Sequence, residues 1–203
     1  MVPVNNIEHG KKLSIKSTWQ EMQSVLTPLT AILIARGFMH DCTATFLPTF
    51  VNQETGNLWL AGIALAAFEA AGVVGILTAG PLSDAIGRRK VLLISLLGAP
   101  VGLLLFILTG GWLRFCMLLV TGFTLLSTTP VMLALVQERA KHSPSAANGL
   151  FMMISFMARS AMVVVVGFSG DLVGLRTTYV ISAVLGLIGI PFIFKLPKRE
   201  KRI

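Results

Sequence analysis

Six apolar runs, each near the ~20 residues a membrane-crossing helix needs, constrain this chain more than any other feature. They fall at about 27–50, 58–80, 90–109, 112–136, 147–170 and 176–196, joined by short polar connections. Hydrocarbon offers the backbone no hydrogen-bond partners, so an open sheet is excluded. The expected fold is all-α: a polytopic membrane protein of six transmembrane helices, with consecutive helices antiparallel. Only 13% of the 203 residues are charged, 54% are hydrophobic and the mean hydropathy is +0.79. Soluble domains carry roughly 25% charged residues. Residues 1–26 read as a polar cytoplasmic segment, 27–196 as the bundle and 197–203 as a basic cytoplasmic tail.

The Lys and Arg residues set the expected orientation. Thirteen of the 17 lie in the N-terminal segment, the loops around Arg88 and Arg139, and the C-terminal tail, all on one side of a six-span chain. The opposite loops hold Arg114 and Arg176, while Arg36 and Arg159 lie inside spans. The positive-inside rule then places both termini in the cytoplasm and the chain in the plasma (inner) membrane. In this setting the net charge of +8 reports topology, and no nucleic-acid partner is expected. The N-terminal segment has no basic n-region, apolar core and cleavage site, so no signal peptide is expected. Thr18-Trp19-Gln20-Glu21 has the form of a capping box. Trp19, Met22 and Leu26 share one helical face, as in a short amphipathic helix on the membrane surface. The alternative is a polar extension of the first span. Ser143-Pro144 has the N-cap and N1 chemistry of a helix start. Cys42 and Cys116 have neither CxxC nor metal-ligand spacing and read as free thiols.

Between the second and third runs stands Gly80-Pro81-Leu82-Ser83-Asp84-Ala85-Ile86-Gly87-Arg88-Arg89-Lys90. Gly80 permits close approach of helix backbones and Gly87 a tight turn. Asp84 is placed to cap a helix or pair with a cation, and Arg88, Arg89 and Lys90 to anchor the loop at an anionic membrane surface. The plain reading is a basic turn with no gating role. The whole pattern resembles the G-x-L-x-D-x-x-G-R-R/K signature of the major facilitator superfamily. An echo, Gly167/Asp171/Gly174 with Arg176, follows 87 residues later and three spans on, hence on the opposite face. Inverted three-plus-three repeats have this form. Over roughly residues 18–197 the chain resembles the C-terminal six-helix half of such a transporter. Within the family it is similar to fosmidomycin-resistance-type efflux proteins at Phe46-Leu47-Pro48, Pro130-Val131, the Gln137-Glu138 loop and Ala147-Asn148-Gly149. The family uses twelve spans, so the resemblance implies a second six-helix half, on a separate chain or in a homodimer.

Ionisable residues inside spans are costly and mark functional candidates. Arg36 lies roughly 14 Å and Arg159 roughly 18–20 Å from the cytoplasmic edge of their spans at 1.5 Å per residue. Glu69 sits mid-span, expected either to neutralise one of these arginines or to carry a proton, and Asp41 nearer the outer side. These four form the candidate substrate and proton pathway. The bland reading is a buried Arg–Glu pair that only fixes packing. His40 shares a face with Arg36 but has no metal-ligating cluster about it, and it and Asp41 are placed near a hydrated outer mouth. Pro130, following Thr128-Thr129, is expected to bend the fourth span, with the hydroxyls serving freed carbonyls.

The function expected from these features is alternating-access transport of a small molecule. The resemblance implies proton-coupled efflux of a drug or organic anion by half of a transporter. The alternative is a transport-inactive membrane module or truncated remnant of a twelve-helix transporter. No GxxxxGK[ST] loop is present for ATP use, and no cofactor or metal is expected. An intramembrane protease reading of Gly167-Phe168-Ser169-Gly170 fails because His9, His40 and His142 all lie upstream, so the chain is not expected to be an enzyme.

Overall fold

A computed structural model describes residues 15–140 and 144–196. Among these, the chain is helical throughout apart from its turns. The helices are α1 (Ile15–Thr55), α2 (Leu58–Ile86), α3 (Arg88–Leu108), α4 (Gly111–Arg139), α5 (Pro144–Val173), α6 (Leu175–Ile188) and α7 (Ile190–Lys195). Six stretches are long and apolar enough to span a bilayer, the last being α6 and α7 together. The described ends of α1 and α7 lie at the same end of the bundle as the turn at Gly87, here called the basic end. The turns at Gly56, Gly110 and Gly174 form the far end.

The helices begin and end where local chemistry demands. Asn57 caps α2, its side-chain oxygen accepting from the amides of Trp59 (3.0 Å) and Leu60 (3.1 Å). Gly87 (φ 98°, ψ 135°) and Gly174 (φ 80°, ψ 152°) join α2 to α3 and α5 to α6 through the same unusual conformation. Positive φ with extended ψ is open without strain only to glycine. The two members of the Gly-Asp-Gly echo are thus matching turns, as an inverted repeat of three helices requires. Gly189 and Pro191 interrupt the last span between α6 and α7.

The first helix departs from the expectation of a separate surface segment. It runs unbroken for 41 residues, with Thr18 inside it and not at its start. Met22 and Leu26 are buried in the core at the basic end, with Trp19 packed against them, so this face belongs to an extension of the first span. The side chains of Thr18 and Glu21, and Ser143, lie outside the described residues.

Small residues set the closest packing. A Cβ on Gly75 would meet the Phe123 carbonyl, and one on Gly122 the Phe68 carbonyl, so α2 and α4 touch backbone to backbone. Gly80 does not share this role: a Cβ there meets nothing within 4 Å. The Ser95 and Ser127 hydroxyls join α3 to α4 at 2.8 Å. At the far end Glu54 pairs with Arg114, which lies over the Phe106 ring at 4.6 Å, and the Phe50 and Tyr179 rings stack at 4.7 Å. Within the most apolar window of each helix, 17% of α5 and 28% of α2 is buried, against 56% of α3 and α4. The outward faces of α2 and α5, which include Val73, Leu77, Phe156 and Met157, are therefore apolar and uncovered within this chain.

Candidate functional site

The first group of polar residues surrounds Arg36, on α1 halfway through the bundle. Its Nη1 donates to the Leu125 carbonyl at 2.9 Å and to the Thr128 hydroxyl, and its Nη2 donates to the Thr129 hydroxyl at 3.0 Å. All three acceptors belong to the turn of α4 that precedes Pro130. Pro130 has no amide for the carbonyl of Leu126, four residues back, and the Thr128 and Thr129 hydroxyls add further acceptors, so this turn is an acceptor-rich stretch inside hydrocarbon. Thr128 also donates to the Leu125 carbonyl at 2.7 Å, while Thr129 serves the guanidinium. Arg36 thus fastens α1 to α4 at a place where a cation finds oxygen ligands. Its Nε is buried without a partner among the described residues.

Beside it, Asp41 is 1% exposed, in contrast to the hydrated position expected for it near an outer mouth. Its Oδ1 lies 3.3 Å from His40 Nδ1 and 3.5 Å from Arg159 Nε, and its Oδ2 is buried with no hydrogen-bond partner among the described residues. His40 is also buried. The two are enclosed where α1 packs against α5 and α6. Arg36, His40 and Arg159 line a cavity of about 120 Å³ between α1, α4 and α5, with Thr129, Ser155 and Phe156 among its walls. Arg159, 53% exposed in this chain, stands at its edge.

Glu69 is not part of this group. It lies on an exposed face of α2 and makes no ion pair or hydrogen bond among the described residues. The expected pairing of Glu69 with Arg36 or Arg159 is therefore absent, and Asp41 is the carboxylate that meets Arg159. The reason is azimuth: Phe68 and Gly72 take α2's inward face, and Glu69 is turned about 100° from Phe68.

A second group stands at the basic end. Arg88, at the start of α3, pairs with Asp84 at 3.2 Å and with Glu138 at 2.9 Å. Glu138 lies in the last turn of α4, not in a loop, and is a site residue that the sequence pattern does not identify. A lone acidic residue on α4, at the same end of the bundle as an Arg pair, is the sequence signal that would mark it. This bridge ties the turn after α2 to the end of α4. Arg89 and Gly87 line a cavity beside it, and Gly80 sits two turns earlier in open space. Among the described residues, no three His, Cys, Asp or Glu side chains gather as a metal site would need.

Residues 29–203 match the family model described as Major Facilitator Superfamily. The fosmidomycin resistance protein of Escherichia coli (strain K12) is 28% identical over 175 residues, covering 85% of this chain and 43% of that protein. An uncharacterised MFS-type transporter of Bacillus subtilis (strain 168), YfnC, is 32% identical over 131 residues, 64% of this chain and 32% of its own length. The chain thus spans less than half the length of these curated relatives. Among solved structures, the E. coli fucose:proton symporter FucP superposes with a TM-score of 0.78 at 15% identity, over 96% of this chain and 48% of that one. A structure of FucP in the outward conformation gives the same score and coverage. At that identity the likeness concerns the fold alone, and a symporter is thus a relative in architecture. The family model covers most of the sequence, and the fold it describes is the fold found: this chain belongs to the Major Facilitator Superfamily, as one six-helix half of its membrane-transporter architecture.

Proposed function

We propose that this half contributes an anion-binding wall to a proton-coupled transporter that exports a small organic anion by alternating access. The observation that carries this reading is the charge balance around the buried cavity. Arg36, His40 and Arg159 line it, and among the described residues Asp41 is the one carboxylate that meets His40 and Arg159. Cations held in low dielectric favour an anionic ligand, because an unpaired buried charge is expensive. Arg36 is committed to α4, so Arg159 at the cavity edge is the group free to exchange Asp41 for a substrate anion. Asp41, once released, is the candidate proton carrier, and its partnerless Oδ2 is where a proton would sit. Glu69 faces away and serves as a second candidate carboxylate, on the surface that another half would cover. The similarity to the fosmidomycin resistance protein supports a drug-like anion as cargo.

In this reading the uncovered faces of α2 and α5 pack against a second six-helix half, on this or another chain. The Asp84–Arg88–Glu138 bridge, with Gly80, Gly87 and Arg89 about it, forms the cytoplasmic gate, and both termini are cytoplasmic. The test is flux in proteoliposomes containing a complete transporter, with a pH gradient and fosmidomycin as the probe anion. Arg159→Gln is expected to raise the KM for the anion at least about tenfold, the scale of one charge-assisted contact. Asp41→Asn is expected to retain anion binding and lose the response to the pH gradient. Wild-type coupling in Asp41→Asn together with lost coupling in Glu69→Gln would move the proton to Glu69. No flux by the wild-type half supplied with its second half would leave a non-transporting module.

A further inference from the structure

Glu69 carries a charge that nothing among the described residues answers. It lies on an exposed face of α2, with Ala66 one turn before it and Val73 one turn after. A carboxylate facing hydrocarbon is costly, so its partner has to come from outside the chain. Arg159 on α5 is the complementary case. Its Nε lies 3.5 Å from Asp41, yet the side chain is 53% exposed. These are the ionisable residues of α2 and α5 that lie away from the helix ends; Asp84 and Asp171 both fall in a last turn.

Their depths match. Glu69 is eleven residues from the far-end start of α2 and Arg159 fourteen from the far-end finish of α5, or roughly 17 and 21 Å at 1.5 Å per residue. The difference is less than one helical turn, within the reach of an arginine side chain. Both α2 and α5 pack on α1 and on α4, so they flank that pair with their outward faces uncovered. Six spans put both ends of the chain on one side of the membrane. Two copies inserted alike are then related by a two-fold axis along the membrane normal. Such an axis brings α2 of each copy to α5 of the other. The surface is complementary to itself, with an acid on one flank and a base on the other at one depth. Gly62 and Ala66 precede Glu69 on the same face, and a Cβ on Gly62 would meet nothing within 4 Å, which leaves room for a second helix to come close.

We propose that a second copy of this chain covers these faces, with Glu69 of each copy paired to Arg159 of the other across the α2–α5 contact. The partner copy thereby adds a residue to the cavity. Arg159 has two carboxylates, Asp41 of its own chain and the partner's Glu69, and keeps the second when Asp41 takes a proton. This rests on the reading that a second six-helix half covers α2 and α5, and it says which half that is.

The test is association of the full chain in liposomes at low protein density, counted by single-molecule photobleaching of a dye at the C-terminus. The wild type is expected to be dimeric. Glu69→Arg and Arg159→Glu each set like charges against one another at both contacts and are expected to raise the dissociation constant at least about tenfold. Mixed, the two variants recreate both pairs, and their heterodimer is expected to regain the wild-type affinity, which a folding defect would not allow. Should Arg159→Glu fail to insert beside Asp41, disulfide trapping replaces it. With Cys42 and Cys116 changed to Ala, chains carrying Glu69→Cys and Arg159→Cys are expected to cross-link when mixed and not when alone. A monomeric wild type, charge reversals without effect, or mixtures that neither regain affinity nor cross-link overturn the proposal. A monomer that carries the anion with a different half overturns this inference and leaves the transport reading standing; a dimer without flux does the reverse.

Discussion

The turns at Gly87 and Gly174 share a backbone and differ in everything attached to it. Both glycines adopt positive φ with extended ψ at the junction of two spans. Around Gly87, Arg88 draws Asp84 and Glu138 together and binds the end of α4. Around Gly174, Asp171 is exposed and has no partner among the described residues. Arg176 reaches α3 instead, 3.4 Å from the Ile107 carbonyl, and comes within 4.0 Å of Glu54. The repeated element is thus a way to reverse a helix in one residue, and the charged bridge is an addition to one copy. An inverted repeat leaves the two turns on opposite faces, so their surroundings are free to differ.

The comparison is broken most forcefully at the glycines. Gly87→Ala and Gly174→Ala are each expected to destabilise the fold by about 1–3 kcal/mol through backbone strain, and by matching amounts. Unfolding midpoints in detergent measure this; a neutral result at either position would end the equivalence of the turns. Next come the arginines. Arg88→Gln is expected to cost about 1 kcal/mol, the scale of partly exposed ion pairs, while Arg176→Gln, 65% exposed, is expected to change the midpoint little. Equal effects would mean that the bridge adds nothing special to the first turn. The smallest effect is predicted at the leading glycines. Gly80→Ala has open space, and a Cβ at Gly167 meets only Phe46 at 3.5 Å, so both are expected to be neutral or slightly stabilising. A loss of transport with Gly80→Ala at unchanged stability would show that Gly80 is packed by a second half.

Much of the fold is legible along the chain, because the bilayer reads hydropathy one span at a time. The six apolar stretches and the Gly-Asp-Gly echo need no tertiary information. The site is harder to read for a definite reason: linear position gives depth in the membrane, whereas function depends also on azimuth. Glu69 and Asp41 are both carboxylates inside spans, yet one faces out of the bundle and the other is enclosed between α1 and α5. Arg36 is recognisable as a buried cation, but its three oxygen ligands on α4 are legible only once the turn before Pro130 is seen to face α1. Residues 15–26 look polar and separable in sequence, while burial of Met22 and Leu26 makes them the first turns of a long helix.

The sequence by itself determined the class, the number of spans, the reversing glycines and the family, since each follows from composition or local backbone chemistry. Tertiary structure alone decided which carboxylate meets which arginine and that Glu138 completes the bridge to Arg88. It also decided that the Arg89 Nε is buried without a partner among the described residues. Partners in a helical bundle are chosen by rotation and crossing of helices, and those depend on where small residues such as Gly75 and Gly122 let two backbones touch.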